Sequence, residues 1–370
     1  MREAPAYVKL PFQLTYNSLL STGSRCLVFS VNREIVLKCA LTPQPHAPLG
    51  FTEALFCDES FWSLEREKFI YDILALDPHP NILQSVLVCL EGVFLPRMWA
   101  PLLIDRLEQD HPLSSTTTFR WIREILSAMR HLEKHGFTHG ALSPHNIFID
   151  ENDHVKLFDF GDSARIGQPV SLFNPPYSDA VQEIAGPGTE QFAFGSCMYT
   201  ILTGGQEPIF QITGTDLDPE KFPETCGLTG GEIIYKCWRK GYASLEHVAA
   251  DIEKLCTWKP PPLVIRLKLS NRDEDDSATE MSDSTSESET LPDEPSPTPM
   301  PVDNVRSMLH DAREYLIANS DDEDVAPAKV MSLTELAPLR EFCEGFRANL
   351  DSSGYMQRLA WTGGIELGSS

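Results

Sequence analysis

The segment that most constrains this chain of 370 residues is His139-Gly140-Ala141-Leu142-Ser143-Pro144-His145-Asn146, followed after twelve residues by Asp159-Phe160-Gly161. Two β-rich runs, 146–150 and 154–158, fill the interval, and the polar residues 151–153 separate them. The pattern predicts two short strands joined by a turn, with a motif on either side.

Before this segment the chain is β-rich with a single helix. Two strands are predicted at Cys26–Val31 and Glu34–Lys38, and two more within 82–98. Apolar spacing predicts a helix over 61–76, and three prolines predict a loop over 41–60.

The remainder is mainly helical. Apolar periodicity, capping residues and stop signals predict four helices, at 118–135, 189–202, 232–239 and 244–256. A small β-rich half is therefore followed by a larger helical half.

Five residues occur, in order, at the functional positions of the eukaryotic protein-kinase superfamily: Lys38, Glu67, His139, Asn146 and Asp159. Over roughly residues 12 to 261 the chain resembles that superfamily. The resemblance implies an α+β, bilobal protein-kinase-like domain at 12–262, with its N-lobe at 12–98 and its C-lobe at 102–262. Residues 189–196 also look like divergent kinase-like proteins of filamentous fungi.

By this resemblance, Lys38 faces the phosphates of ATP and Glu67 is its ion-pair partner. Asn146 and Asp159 are the implied ligands of Mg²⁺, which prefers hard oxygen atoms. ATP and Mg²⁺ are thus the implied cofactors, with weak binding.

The rest of the implied nucleotide site departs from the family. In the glycine-rich loop Gly23 remains, whereas Cys26 replaces a glycine and limits close approach of the backbone to phosphates. Val28 belongs to the same cleft. Val36 and Phe148 are larger than the usual residues on either side of the base, so they are expected to narrow the adenine pocket.

The catalytic loop has lost its chemical groups. Ala141 stands at the catalytic aspartate and cannot accept the substrate's hydroxyl proton, a step that contributes about 10²–10⁴-fold. Ser143 replaces the lysine that helps neutralise the transferring phosphate in serine/threonine kinases. Gly140 replaces the arginine that commonly reads a phosphorylated activation loop. Slow or absent transfer is therefore expected.

Three functions remain open. The first is a pseudokinase that binds Mg-ATP weakly and acts as a scaffold or regulator. The second is an active serine/threonine protein kinase with an atypical catalytic loop. The third is a kinase-fold small-molecule phosphotransferase, because His139-Gly140 is similar to the His-Gly-Asp of that class.

The net charge of −24 is concentrated after the predicted domain, since residues 271–330 alone carry a net charge of −13. Residues 270–303 consist mostly of Ser, Thr, Asp, Glu and Pro, which predicts a disordered acidic linker. The tail 304–370 is expected to hold short helices, at 302–318 and at 333–346. Protein partners are expected, and this acidic region is their candidate contact site.

Composition also excludes several classes. The acidic balance argues against binding to nucleic acid or to anionic membranes, and an apolar run of about 18 residues, as a membrane span requires, is missing. Nine scattered cysteines without metal-ligand spacing fit a reduced cytoplasmic or nuclear protein. Residues 1–12 show no signal-peptide pattern.

Overall fold

The computed structural model describes residues 18–23, 25–43, 50–109, 113–170, 174–179, 184–210, 212–213, 216–217, 222–257 and 326–352. The predicted acidic linker at 270–303 and the helix predicted at 302–318 lie outside these residues. Within the described helices, no segment is both long enough and apolar enough to cross a membrane.

The N-terminal lobe is a five-stranded antiparallel sheet in the order β1-β2-β3-β5-β4. Its strands are β1 Leu19–Thr22, β2 Leu27–Ser30, β3 Ile35–Cys39, β4 Leu87–Val88 and β5 Val93–Pro96. The Asn32 side chain accepts hydrogen bonds from the N–H groups of Glu34 and Ile35 at 2.7 and 2.8 Å, and these bonds shape the turn between β2 and β3.

The helices are α1 Phe51–Leu74, α2 Leu103–Gln109, α3 Ser115–Lys134, α4 Pro187–Leu202, α5 Gly231–Trp238, α6 Leu245–Thr257 and α7 Leu333–Ser352. Six shorter strands lie in the C-terminal part: β6 Phe137–Thr138, β7 Ile147–Ile149, β8 Val155–Leu157, β9 Ala164–Arg165, β10 Ile212–Thr213 and β11 Asp216–Leu217. The strands predicted at 146–150 and 154–158 pair as the antiparallel β7–β8 hairpin. The α+β, bilobal fold is confirmed.

The loop predicted at 41–60 is wrong from residue 51 onward, because α1 begins at Phe51. The prolines of this segment, at 43, 45 and 48, all precede the N-cap residue Gly50, so none interrupts the helix. The first turns also expose Phe51 and Leu55 to solvent. Apolar residues therefore lie on the exposed side of this helix as well as on its buried side, so the sequence shows no single apolar face by which a helix is recognised.

Both faces of the N-lobe sheet are apolar. Successive side chains of a strand point to opposite faces, and Val36 and Leu95 belong to the large core that continues into the helical lobe. Their neighbours Leu37 and Phe94 belong to a second apolar cluster. Leu336 of α7 completes this second cluster, so the C-terminal helix covers the outer face of the sheet.

Gly195 lets α4 and α5 approach closely, since a Cβ there would lie 2.9 Å from the Cβ of Cys237. We expect Gly195→Val to lower the free energy of unfolding by about 1–3 kcal/mol through overpacking. Gly345→Ala is the control, because that position in α7 has open space and alanine favours a helix by up to about 1 kcal/mol. Urea unfolding measures both, and equal midpoints would contradict the packing.

Candidate active site

A buried ammonium group joins three parts of the chain. Lys38 Nζ lies 2.6 Å from Glu67 Oε2 and 2.6 Å from Asp159 Oδ1. Lys38 is on β3, Glu67 is on the buried side of α1, and Asp159 follows β8 with a φ of 68°. The structure thus brings together three of the residues that the sequence assigned to one site.

The two carboxylates differ in their surroundings. Burial alone would lower the pKa of Lys38, but the charges of Asp159 and Glu67 outweigh it and hold that pKa well above its usual value. Burial raises the pKa of Glu67 to about 7 despite the nearby ammonium. Burial opposes ionisation of Asp159 as well, yet the charge of Lys38 lowers its pKa. The Lys38 ammonium therefore favours the ionised form of Asp159 and partly offsets the effect of burial on Glu67.

The residues after Asp159 fasten this site to α1. Phe160 is fully buried and packs edge-on against Tyr71 and His139, at centroid distances of 5.2 and 5.3 Å. The Gly161 carbonyl accepts hydrogen bonds from Ser63 Oγ at 3.2 Å and Arg66 Nε at 2.9 Å. Any movement of α1 would therefore break contacts with the Asp-Phe-Gly segment.

The loop from His139 to Asn146 is held by backbone contacts. Glu190 of α4 accepts hydrogen bonds from the N–H groups of His139 and Gly140 at 2.8 and 3.3 Å. His139 Nε2 donates to the Phe158 carbonyl at 3.0 Å. Asn146 Nδ2 donates to the Ala141 carbonyl at 2.8 Å, and this brings position 141 beside a candidate metal ligand.

The two altered catalytic positions are enclosed. Ala141 and Ser143 are both buried, with 8% and 3% of their surface exposed. The Ser143 carbonyl accepts the N–H of Asn146 at 2.9 Å, which closes the short 3₁₀ turn Pro144–Asn146. Ala141 offers only a methyl group where proton transfer would need a base.

The backbone geometry at position 140 requires glycine. Its φ is +78°, and a Cβ on it would lie 2.0 Å from the Asp162 carbonyl oxygen. An arginine with this backbone would therefore need the segment after Asp159 to move. The absence of an arginine at position 140 is therefore what allows these two segments to approach so closely.

The glycine-rich loop is tied to the site by contacts that the sequence did not predict. Arg25 forms an ion pair with Asp162, and its carbonyl accepts a hydrogen bond from Ser60 of α1. Gly23 N–H donates to the Cys26 carbonyl at 2.9 Å, and burial raises the pKa of the Cys26 thiol to about 11. Arg25 lies in no recognisable motif, so only its position in the loop could have suggested a role.

The implied adenine side of the cleft contains aromatic rings. Phe148 stacks on Phe158 with their centroids 4.3 Å apart. Val36 is buried in the main core, and Val28 is opposite Lys38 in the β2–β3 ladder. The expected narrowing of the adenine pocket and the roles of Gly23, Val28, Val36 and Phe148 stay predictions.

Asp77, His131 and His135 form a second cluster of potential metal ligands. The Asp77 carboxylate receives Lys134 Nζ and His135 Nε2, each at 3.0 Å, and these hydrogen bonds lower its pKa. His131 Nε2 donates to the Asp77 backbone carbonyl at 2.7 Å. The cluster is satisfied internally, and it links the C-terminal ends of α1 and α3.

The donor groups fit Mg-ATP in part. Asp159 has an anionic carboxylate, and its side chain is 40% exposed. Asn146 supplies an amide oxygen, since its amide nitrogen is used by Ala141. Lys38 would face the phosphates. The Arg25–Asp162 ion pair and the single remaining glycine of the loop fit the phosphates less well.

Comparison with known proteins finds sequence similarity to protein kinases. The family model "Protein kinase domain" matches residues 71–221. This match supports membership of the protein-kinase superfamily. The human "Hormonally up-regulated neu tumor-associated kinase" is 29% identical over 158 residues, which are 38% of this chain and 21% of that kinase.

Two further relatives extend this comparison. The "Probable serine/threonine-protein kinase KIN1 homolog" of Encephalitozoon cuniculi is 33% identical over 145 residues, 36% of this chain and 26% of that protein. The mouse "TBC domain-containing protein kinase-like protein" is 44% identical over 59 residues, 16% of this chain and 7% of that protein. The chain thus matches at most about a quarter of the length of these relatives.

The close approach at Gly140 can be tested by substitution. Gly140→Ala should destabilise the kinase domain by roughly 1–3 kcal/mol more than Gly167→Ala. Gly167 has a similar φ of +90° but open space around it, so its substitution adds backbone strain alone. Thermal unfolding of both variants checks this, and equal losses would show that Asp162 does not press on position 140.

Glu190 makes the stability dependent on pH. Burial raises its pKa from 4.5 to about 7, so the folded protein binds this proton more tightly than the unfolded chain. Protonated Glu190 therefore stabilises the folded state fully below about pH 4.5. This contribution to the free energy of unfolding, on the order of 3 kcal/mol, is lost as the pH rises to about 7. Glu190→Gln should flatten that decline in the free energy of unfolding.

The matched control for Glu190 is Glu34→Gln, which changes an exposed carboxylate. Urea unfolding from about pH 5 to about pH 7.5 compares the two variants with the unchanged protein. The same pH slope in all three would refute the assignment to Glu190.

Proposed function

We propose that this kinase domain is a pseudokinase, which uses the kinase fold to bind proteins and transfers phosphate slowly or not at all. One observation carries the proposal: the position of the catalytic base holds Ala141, whose buried methyl group cannot accept a proton. The catalytic loop is otherwise held by ordered contacts of His139 and Glu190. A defect of chemistry within an ordered loop favours a binding role.

Weak Mg-ATP binding is part of the proposal. Asp159 and Asn146 offer oxygen atoms suited to Mg²⁺, and Lys38 offers positive charge for the phosphates. Binding is expected to be weak because a nucleotide must compete with existing contacts. Lys38 already has two carboxylate partners, and Arg25 is paired with Asp162.

A relative's name and the chain's composition are consistent with this reading. One relative is named a "protein kinase-like protein". The acidic segment 271–330, with a net charge of −13, is the proposed site for basic surfaces of protein partners. A cytoplasmic or nuclear location is proposed from the scattered cysteines.

Nucleotide binding is tested by thermal unfolding of the full chain with ATP, with and without Mg²⁺. We expect a small Mg²⁺-dependent rise in the unfolding midpoint. Lys38→Ala and Asp159→Asn should each abolish that rise, measured against the midpoint of the same variant without ligand. A rise that persists in Lys38→Ala would show that the nucleotide binds elsewhere.

Phosphate transfer is tested with a generic peptide substrate and Asp159→Asn as the negative control. Transfer by the unchanged protein at roughly 1–100 per second would overturn the pseudokinase proposal. Ala141→Asp restores a carboxylate, yet we expect a small gain, because Ser143 and Cys26 still depart from the family. Ordinary turnover in that variant would mean that Ala141 is the sole lesion.

A further inference from the structure

The C-terminal segment 326–352 spans both lobes on the outside of the kinase domain. On the C-lobe hairpin, His154 Nε2 donates to the Ala326 carbonyl at 2.5 Å and Lys156 Nζ to the Lys329 carbonyl at 3.1 Å. On the N-lobe side, the Met331 N–H donates to Gln84 Oε1 at 3.1 Å. The extended part of the segment is thus attached to both lobes.

The helix that follows is anchored on the N-lobe by one of its sides. Leu336 and Cys343, seven residues apart, are buried in the second apolar cluster, while Leu333 and Phe342 are exposed. Ser332 begins the helix with a capping box, because its Oγ accepts the Glu335 N–H at 3.3 Å and Glu335 Oε2 accepts the Ser332 N–H at 2.7 Å.

Polar contacts fix the position of the docked helix. Arg340 Nε donates to the Val86 carbonyl at 3.2 Å, and Arg347 Nε lies 3.1 Å from Glu91 Oε2. Glu91 is 4% exposed, so its charge needs a partner in the folded protein. These contacts are specific to one register of α7 on the sheet.

The same apolar cluster includes Cys57, in the first half of α1. Helices α1 and α7 both pack against β4 of the sheet, and a helix moves largely as a rigid body, so packing around Cys57 also constrains Ser60, Ser63 and Glu67 further along it. Those three residues contact Arg25, Gly161 and Lys38, respectively. Docking of α7 is therefore connected mechanically to the glycine-rich loop, the Asp-Phe-Gly segment and the Lys38–Glu67 ion pair.

We propose that residues 326–352 are an intramolecular clamp that holds α1 in the position where Glu67 pairs with Lys38. The clamp covers an apolar sheet face that would otherwise be exposed, so its release would both loosen α1 and open a hydrophobic surface. Segment 258–325 connects it to the C-lobe in sequence. This inference goes beyond the proposed function, and it holds whether or not nucleotide binds.

Hydrogen exchange on the full chain tests the clamp. Leu336→Asp places a charge on the docked side of α7, and Leu333→Asp places the same charge on its exposed side. We expect Leu336→Asp to speed exchange by about tenfold or more in 326–352 and in 51–60, with α3 unchanged. Leu333→Asp should leave both segments as they were.

Two outcomes would overturn the clamp. One is faster exchange in 326–352 with 51–60 unchanged, and the other is the same effect from Leu333→Asp. If Leu336→Asp also speeds exchange in α3, the domain has unfolded and Arg340→Ala decides. That variant removes one hydrogen bond to the Val86 carbonyl. The proposal requires it to speed hydrogen exchange in 51–60. Faster exchange confined to α7, or no change in exchange, refutes the proposal.

Discussion

The Lys38 ammonium is the charge on which the arrangement of this molecule depends. It is buried between Glu67 and Asp159, and removing Lys38 would leave two carboxylates without the cation that both of them contact. Because the three residues come from a strand, a helix and the segment after a C-lobe hairpin, their pairing fixes the relation between the lobes. Phe160 and Gly161 reinforce it through α1.

Around this centre the loop from His139 to Asn146 is held by ordered contacts, although Ala141 and Ser143 stand where the kinase resemblance implies a base and a lysine. Glu190 still holds the N–H groups of His139 and Gly140, and it does so at the cost of burying a carboxylate whose pKa rises to about 7. The absent arginine at position 140 is coupled to the close approach of the Asp162 carbonyl. The proposed binding role rests on this combination of an ordered loop and a buried methyl group at position 141.

The N-lobe sheet serves two purposes. Its inner face joins the core of the helical lobe, and its outer face receives α7. An apolar face of this kind must be covered, and here the chain covers it with its own C-terminal segment. The helix that carries Glu67 is thereby supported from outside the cleft as well as from inside it.

Local signals were sufficient for the fold and for the identity of the central residues. Alternating and periodic apolar residues marked the strands and α3, and the ordered motifs around His139 and Asp159 indicated the bilobal kinase architecture. The start of α1 was missed because the exposed Phe51 and Leu55 put apolar residues on the solvent side as well, so the sequence there shows no single apolar face.

What the tertiary structure alone decided are contacts between residues far apart in sequence. The pairing of Arg25 with Asp162, the pressure of Asp162 on Gly140 and the docking of α7 on the N-lobe leave no local pattern. The physical reason is that such contacts depend on which surfaces the folded lobes bring together. The sequence by itself determined the elements and the chemical groups, and the packing decided which of those groups meet.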